Sequence, residues 1–349
     1  VAEQTPLTCL HSQVLIALAV ELDNELERRL PHFTTDHGWH GGGWGPWLTS
    51  YAMYANFLRF VDDDGIVMHE LAAKAGYSAP VHPSYHGMRR WGYVTYTPDI
   101  AGSSPKKKDA DALVTLTLNG HKARQCWGDA IEECTTRWSQ RGLDTLQAAL
   151  IAIADGIDRA LPEFMPVVGF DRRQPELDAP VSRPPIELDL LGLLSQSLLA
   201  MTYDFEAENE LALGTVHGLL EPLTEAPVPT RTLYEISGVA TKEWSSAMSQ
   251  LAKLGLVEVG GKPKSIALTP AGVAARDAAA ETVAAVEATW RKRHGVAIDH
   301  LRNGLERVVE DAWTWTEPHA DGWRAKTRLP RRLAHHPIVS HRGGFPDGS

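Results

Sequence analysis

Apolar positions between Leu10 and Leu26 recur at helical spacing, and the same spacing returns between Ile186 and Leu211. Each stretch predicts a long amphipathic helix. Further along, Pro229 to Ser237 reads as a short helix closed by Gly238, and Thr241 is placed to cap a second helix that turns Ala247, Met248, Leu251 and Leu254 inward. Gly255 stops that helix. Leu256-Val257-Glu258-Val259 and Ser265-Ile266-Ala267-Leu268 are strand-like, and Gly260-Gly261-Lys262-Pro263 between them reads as a turn. Thr269-Pro270 then opens a long alanine-rich helix that runs past Trp290, with proline at its first position, and a last helix ends near Trp313.

The chain also repeats itself. Leu10, Ser12, Gln13, Leu15 and Ala17 return, at one constant offset, as Leu193, Ser195, Gln196, Leu198 and Ala200. Leu71 and Gly76 correspond to Leu233 and Gly238, and Gly92-Tyr93-Val94 to Gly255-Leu256-Val257. Leu116-Thr117 with Gly120 corresponds to Leu268-Thr269 with Gly272, and Trp138 to Trp290. Four segments in preserved order are the trace of a duplicated domain, whereas a solenoid would show many shorter periods. Pro175, Pro180 and Pro184 mark the stretch between the copies as a linker.

Composition narrows the function classes. A chain of 349 residues exceeds the usual size of one hydrophobic core, in keeping with two copies. With 43% hydrophobic and 22% charged residues it has the make-up of a globular protein. The longest apolar stretch, Val14 to Val20, is too short to cross a bilayer. It lacks the basic flank and cleavage site of a secretory signal, so a cytoplasmic location is expected. Three cysteines, Cys9, Cys126 and Cys134, make no disulfide framework. A formal net charge of -10 excludes a general coat of positive charge, so any nucleic-acid contact has to be local. No phosphate-cradling glycine loop, nucleophile elbow, dinucleotide fingerprint or paired-histidine zinc helix is present. The spacing of His32, Asp36, His37 and His40 matches no compact zinc signature. The expectation is a protein that is not an enzyme, with no cofactor and no metal.

The run Leu251 to Val257, then a hairpin, then Leu268-Thr269-Pro270-Ala271-Gly272 resembles the MarR family of bacterial winged-helix regulators. Met88 to Val94 with Leu116 to Gly120 repeats the pattern more loosely. The resemblance implies a mainly α fold with small β-hairpin wings, as two tandem winged-helix units that form an intramolecular pseudo-dimer. Residues 1–165 would be the first unit, with a Gly/Trp-rich insertion at 37–47 and a long basic wing at 98–112. Residues 166–185 would be the linker, 186–315 the second unit and 316–349 a basic tail. It further implies a ligand-responsive transcriptional regulator that binds double-stranded DNA, as a pseudo-dimeric monomer or as a homodimer, with no membrane partner.

Within that reading, the outward faces of the second helices present donors to base edges. These are Lys242, Ser245, Ser246 and Ser249 in the second copy, and Ser84, Tyr85, His86, Arg89 and Arg90 in the first. Lys106, Lys107 and Lys108 occupy one wing tip and Lys262 and Lys264 the other, where positive charge suits phosphates. The Asp-x-Arg pattern usual in the family's wing is missing from both copies. Trp39, Trp44, Trp47 and Tyr51 are candidates to line a pocket for a small aromatic effector. The competing reading is a protein-interaction or ligand-sensing scaffold, with degenerate winged helices that do not read DNA specifically.

Overall fold

The computed structural model describes residues 4–30, 57–74, 88–89, 92–98, 109–141, 143–161, 184–237, 241–262 and 264–315. In chain order the first half holds α1 (Leu7–Arg29), β1 (Ile66–Val67), α2 (Met68–Lys74), β2 (Val94–Thr97), β3 (Leu113–Leu116), α3 (Leu118–Gln140) and α4 (Asp144–Asp155). The second half holds α5 (Leu190–Glu208), a helical turn running into a π-helical turn at Val216–Leu220, and β4 (Val228–Pro229). Then follow α6 (Thr230–Ser237), α7 (Thr241–Lys253), β5 (Val257–Gly260), β6 (Ser265–Leu268), α8 (Pro270–His294) and α9 (Val296–Trp315). Among the described residues the chain is mainly helical, with two small antiparallel sheets of three strands.

The periodicity predicts one apolar stripe on each opening helix, but both are covered on all sides. Every residue of α5 from Leu190 to Tyr203 is buried, and so is every residue of α1 from Leu7 to Ala19. A helix enclosed by neighbours needs no solvated face, and His11, Ser12, Gln13, Ser195, Gln196 and Ser197 are therefore carried into the interior. Ile186, expected at the start of the second helix, lies outside it in a short 3-10 turn and is exposed. The helix begins later because the Asp189 side chain accepts a hydrogen bond from Gly192 N at 2.7 Å and caps it.

The halves share one hydrophobic cluster, which takes in Leu15 and Leu22 of α1, Leu150 of α4, Leu198 of α5 and Leu305 of α9. Packing between them is reciprocal. Helix α1 packs against α9 of the second half, while α5 packs against α4 of the first; α1 meets α5, and α4 meets α9. Arg302 on α9 donates to the Thr5 carbonyl at 2.8 Å and to Glu287 at 2.7 Å, holding the start of α1 against α8 and α9. Among the described residues no helix is long and apolar enough to cross a membrane.

Candidate nucleic-acid interface

The two sheets have one design. Strand order is β1-β3-β2 in the first and β4-β6-β5 in the second, and Val94 opposite Leu116 corresponds to Val257 opposite Leu268. Each hairpin leaves its preceding helical turn through a glycine of positive φ, Gly92 at 69° and Gly255 at 71°. That conformation costs an L side chain energy that glycine avoids. Each hairpin ends on a threonine that caps the next helix. Thr117 Oγ1 donates to the Gly92 carbonyl at 2.5 Å and accepts from Gly120 N at 3.1 Å. Thr269 Oγ1 donates to the Gly255 carbonyl at 2.7 Å and accepts from Gly272 N at 3.0 Å. A methyl group on Gly120 would lie 2.0 Å from the Tyr93 carbonyl oxygen, and one on Gly272 1.9 Å from that of Leu256. Strand and helix can close up only if both positions are glycine.

The second unit positions the expected DNA-facing groups as follows. Helix α7 buries Trp244, Ala247, Met248 and Leu251 and exposes Ser249. Lys242, Ser245 and Ser246 lie on the same helix. Lys262 and Lys264 are exposed in the turn that joins β5 to β6, so the hairpin tip carries two positive charges into solvent. In the first unit Arg89 is half-buried, with its guanidinium 5.8 Å from the centre of the Tyr96 ring, an arrangement that favours the cation over the ring face. Arg89 matches Ala252 in the repeat, since Gly92 N bonds to the Arg89 carbonyl as Gly255 N bonds to that of Ala252. Ser84, Tyr85, His86, Arg90, Lys106, Lys107 and Lys108 lie outside the described residues, as do Trp39, Trp44, Trp47 and Tyr51.

Paired contacts deep in each unit went unread in the sequence. Trp138 Nε1 donates to Glu21 Oε2 at 2.7 Å, and Trp290 Nε1 donates to Asp204 Oδ2 at 2.8 Å. Glu21 and Asp204 stand at the same offset as Leu10 and Leu193. An arginine completes each pair: Arg137 Nε lies 2.9 Å from Glu21, and Arg159 Nη2 lies 2.8 Å from Asp204. Burial pushes the Glu21 carboxyl up, against the pull of Trp138 and Arg137. The duplicated signal was present in the sequence, but a carboxylate one or two residues beyond a run of buried helical residues looks like any solvated one.

A second group of polar side chains meets where α1 crosses the π-helical turn. Thr8 Oγ1 is 2.8 Å from His217 Nε2, and His217 Nδ1 is 2.5 Å from Glu221 Oε1. Donor atoms of Cys9, His217 and Glu221 all lie within 4.8 Å of one another. Cys9 is fully buried; the His217 side chain is 1% exposed and that of Glu221 29%. One helical turn away, His11 is fully enclosed with no hydrogen-bond partner for either ring nitrogen, and burial pushes its imidazole down to about 3.

Compared with protein-family models, with curated proteins and with solved structures, the chain matches none.

Proposed function

We propose that the chain is a cytoplasmic, sequence-specific DNA-binding transcriptional regulator that carries two non-identical winged helices in one polypeptide and responds to a small aromatic effector. The observation that carries this reading is the repeated unit of helix, glycine exit, hairpin and threonine cap, present once in each half. Reciprocal packing of α1 with α9 and of α5 with α4 supports a pseudo-twofold relation between the units. Two readers so related suit two half-sites on one duplex, and readers of unlike sequence suit half-sites that differ. The exposed Lys262 and Lys264 supply the sequence-independent part of binding at one tip, through release of counterions from the phosphates. Lysine makes point-charge contacts without the bidentate fork of arginine, so this wing positions the protein on DNA more than it reads bases.

The test is selection of bound fragments from random duplex DNA by the purified chain at two salt concentrations. Enrichment of a bipartite motif is expected. The double variant Lys262→Glu, Lys264→Glu is expected to bind all sequences more weakly and to lower the slope of log K against log salt by about 2, because each phosphate contact contributes about 0.9. An unchanged slope removes this hairpin from the interface. Absence of any enriched motif, with binding lost at modest salt, favours the scaffold reading, which the net charge of -10 also favours.

A further inference from the structure

We propose that Cys9, His217 and Glu221 form a binding site for a divalent transition-metal ion of the zinc type, which ties α1 of the first half to the π-helical turn of the second. This site is independent of whether the hairpins meet DNA.

Thiolate, imidazole and carboxylate together select zinc, cobalt and their neighbours over magnesium or calcium, which prefer all-oxygen sites. The three donor atoms converge within 4.8 Å, and metal–ligand distances of about 2.0–2.3 Å can be met from there by small side-chain adjustments. The His217–Glu221 contact has to open by roughly 1 Å to admit an ion at those distances. Glu221 is the most exposed of the three, so it can move and it marks the way in from solvent. Thr8 Oγ1 is placed to accept the Nε2 proton of His217, which leaves Nδ1 as the ligating atom and supplies the outer partner that metal-bound histidines need. The π-helical turn, closed by Glu221 N on the Val216 carbonyl at 3.0 Å, carries an extra residue of a kind found mostly at functional sites.

Nucleophilic use of the same three residues fails on access. The Cys9 side chain is sealed, and a thiol that no substrate reaches cannot attack one, whereas a bare ion needs little room. The site also breaks the internal symmetry. Cys9 corresponds to Gly192 in the second copy, at the offset that relates Leu10 to Leu193, so the second half cannot form its own.

The experiment is titration of the full chain with cobalt(II), followed by absorption in the near ultraviolet and the visible. A sulfur-to-cobalt charge-transfer band that saturates at one ion per chain, with tetrahedral ligand-field bands displaced by zinc, is expected. Cys9→Ser abolishes the charge-transfer band, while Cys126→Ser and Cys134→Ser leave it unchanged. Glu221→Gln and His217→Gln weaken binding by tenfold or more, with far-ultraviolet circular dichroism confirming the fold. Absence of a charge-transfer band in the unaltered protein overturns the proposal. A band that survives Cys9→Ser, or affinity unchanged in folded Glu221→Gln, overturns it equally.

Discussion

Replacing His11 with leucine is expected to stabilise the protein, and to do so more strongly as the pH falls. The repeat selects the substitution, because His11 corresponds to Leu194, which is fully buried at the equivalent place on α5. Both nitrogens of His11 are enclosed without partners, so the unaltered protein bears a desolvation penalty on the order of 1–3 kcal/mol that leucine removes at any pH. The pH dependence adds to this. In the folded chain burial lowers the imidazole from 6.5 to about 3, whereas in the unfolded chain it titrates near 6.5. Below pH 6.5 the unfolded state takes up a proton that the folded state refuses, so folding stability falls with falling pH, by about 1.4 kcal/mol per pH unit until the folded value is reached. Between pH 7.5 and pH 5 the loss from this one group is about 2 kcal/mol. Urea denaturation of the parent and His11→Leu at both pH values measures it, since every other titrating group cancels in the difference between them. A gap in stability that is the same at pH 7.5 and pH 5 would show that His11 titrates normally in the folded state and would refute the burial argument.

Two pairs of substitutions test the repeated architecture. Gly272→Ala forces a methyl group to within 1.9 Å of the Leu256 carbonyl oxygen and is expected to cost about 2 kcal/mol or more. Gly128→Ala in α3 meets nothing within 4 Å and is expected to stabilise by about 0.5–1 kcal/mol through helix propensity; thermal melts that rank the two the other way would contradict the close approach of α8 to β5. Trp138→Phe leaves Glu21, whose side chain is 4% exposed, without its indole donor and is expected to cost about 2–3 kcal/mol, as for a hydrogen bond to a buried charge. Trp290→Phe is expected to cost less, about 1 kcal/mol, because the Asp204 side chain is 21% exposed and water can replace the lost donor; equal losses in urea denaturation would mean that burial of the carboxylate does not set the cost.

The recurring pieces of the fold were legible wherever a few neighbouring residues decide the backbone. Leu116-Thr117 with Gly120 and Leu268-Thr269 with Gly272 mark strand ends and helix caps because a threonine hydroxyl reaches the amide three residues on and no farther. The second strand, Ser265–Leu268, stands where the alternation put it, and Pro270 begins α8 as its fixed φ allows. The apolar face of α7 was legible too, except at its end: Leu254, read as inward, is 53% exposed beyond the last turn, where the chain has already turned at Gly255.

Contacts between distant segments could not be read in this way. The spacing of apolar residues in α1 and α5 predicts one covered face, but how many neighbours enclose a helix depends on where the other half lies, and here each is packed on every side. Likewise, the meeting of Cys9 with His217 and Glu221 across the interface of the halves was not legible, because it joins residues more than two hundred positions apart in the chain. What the sequence determined by itself is the duplicated set of local elements, since caps, glycine exits and strand alternation are set by interactions over a few residues. The tertiary structure alone decided that the two sets wrap around a shared core, which buries His11 without a partner and aims Trp138 and Trp290 at carboxylates of the opening helices. Those outcomes depend on long-range packing geometry, which leaves no periodic mark on the chain.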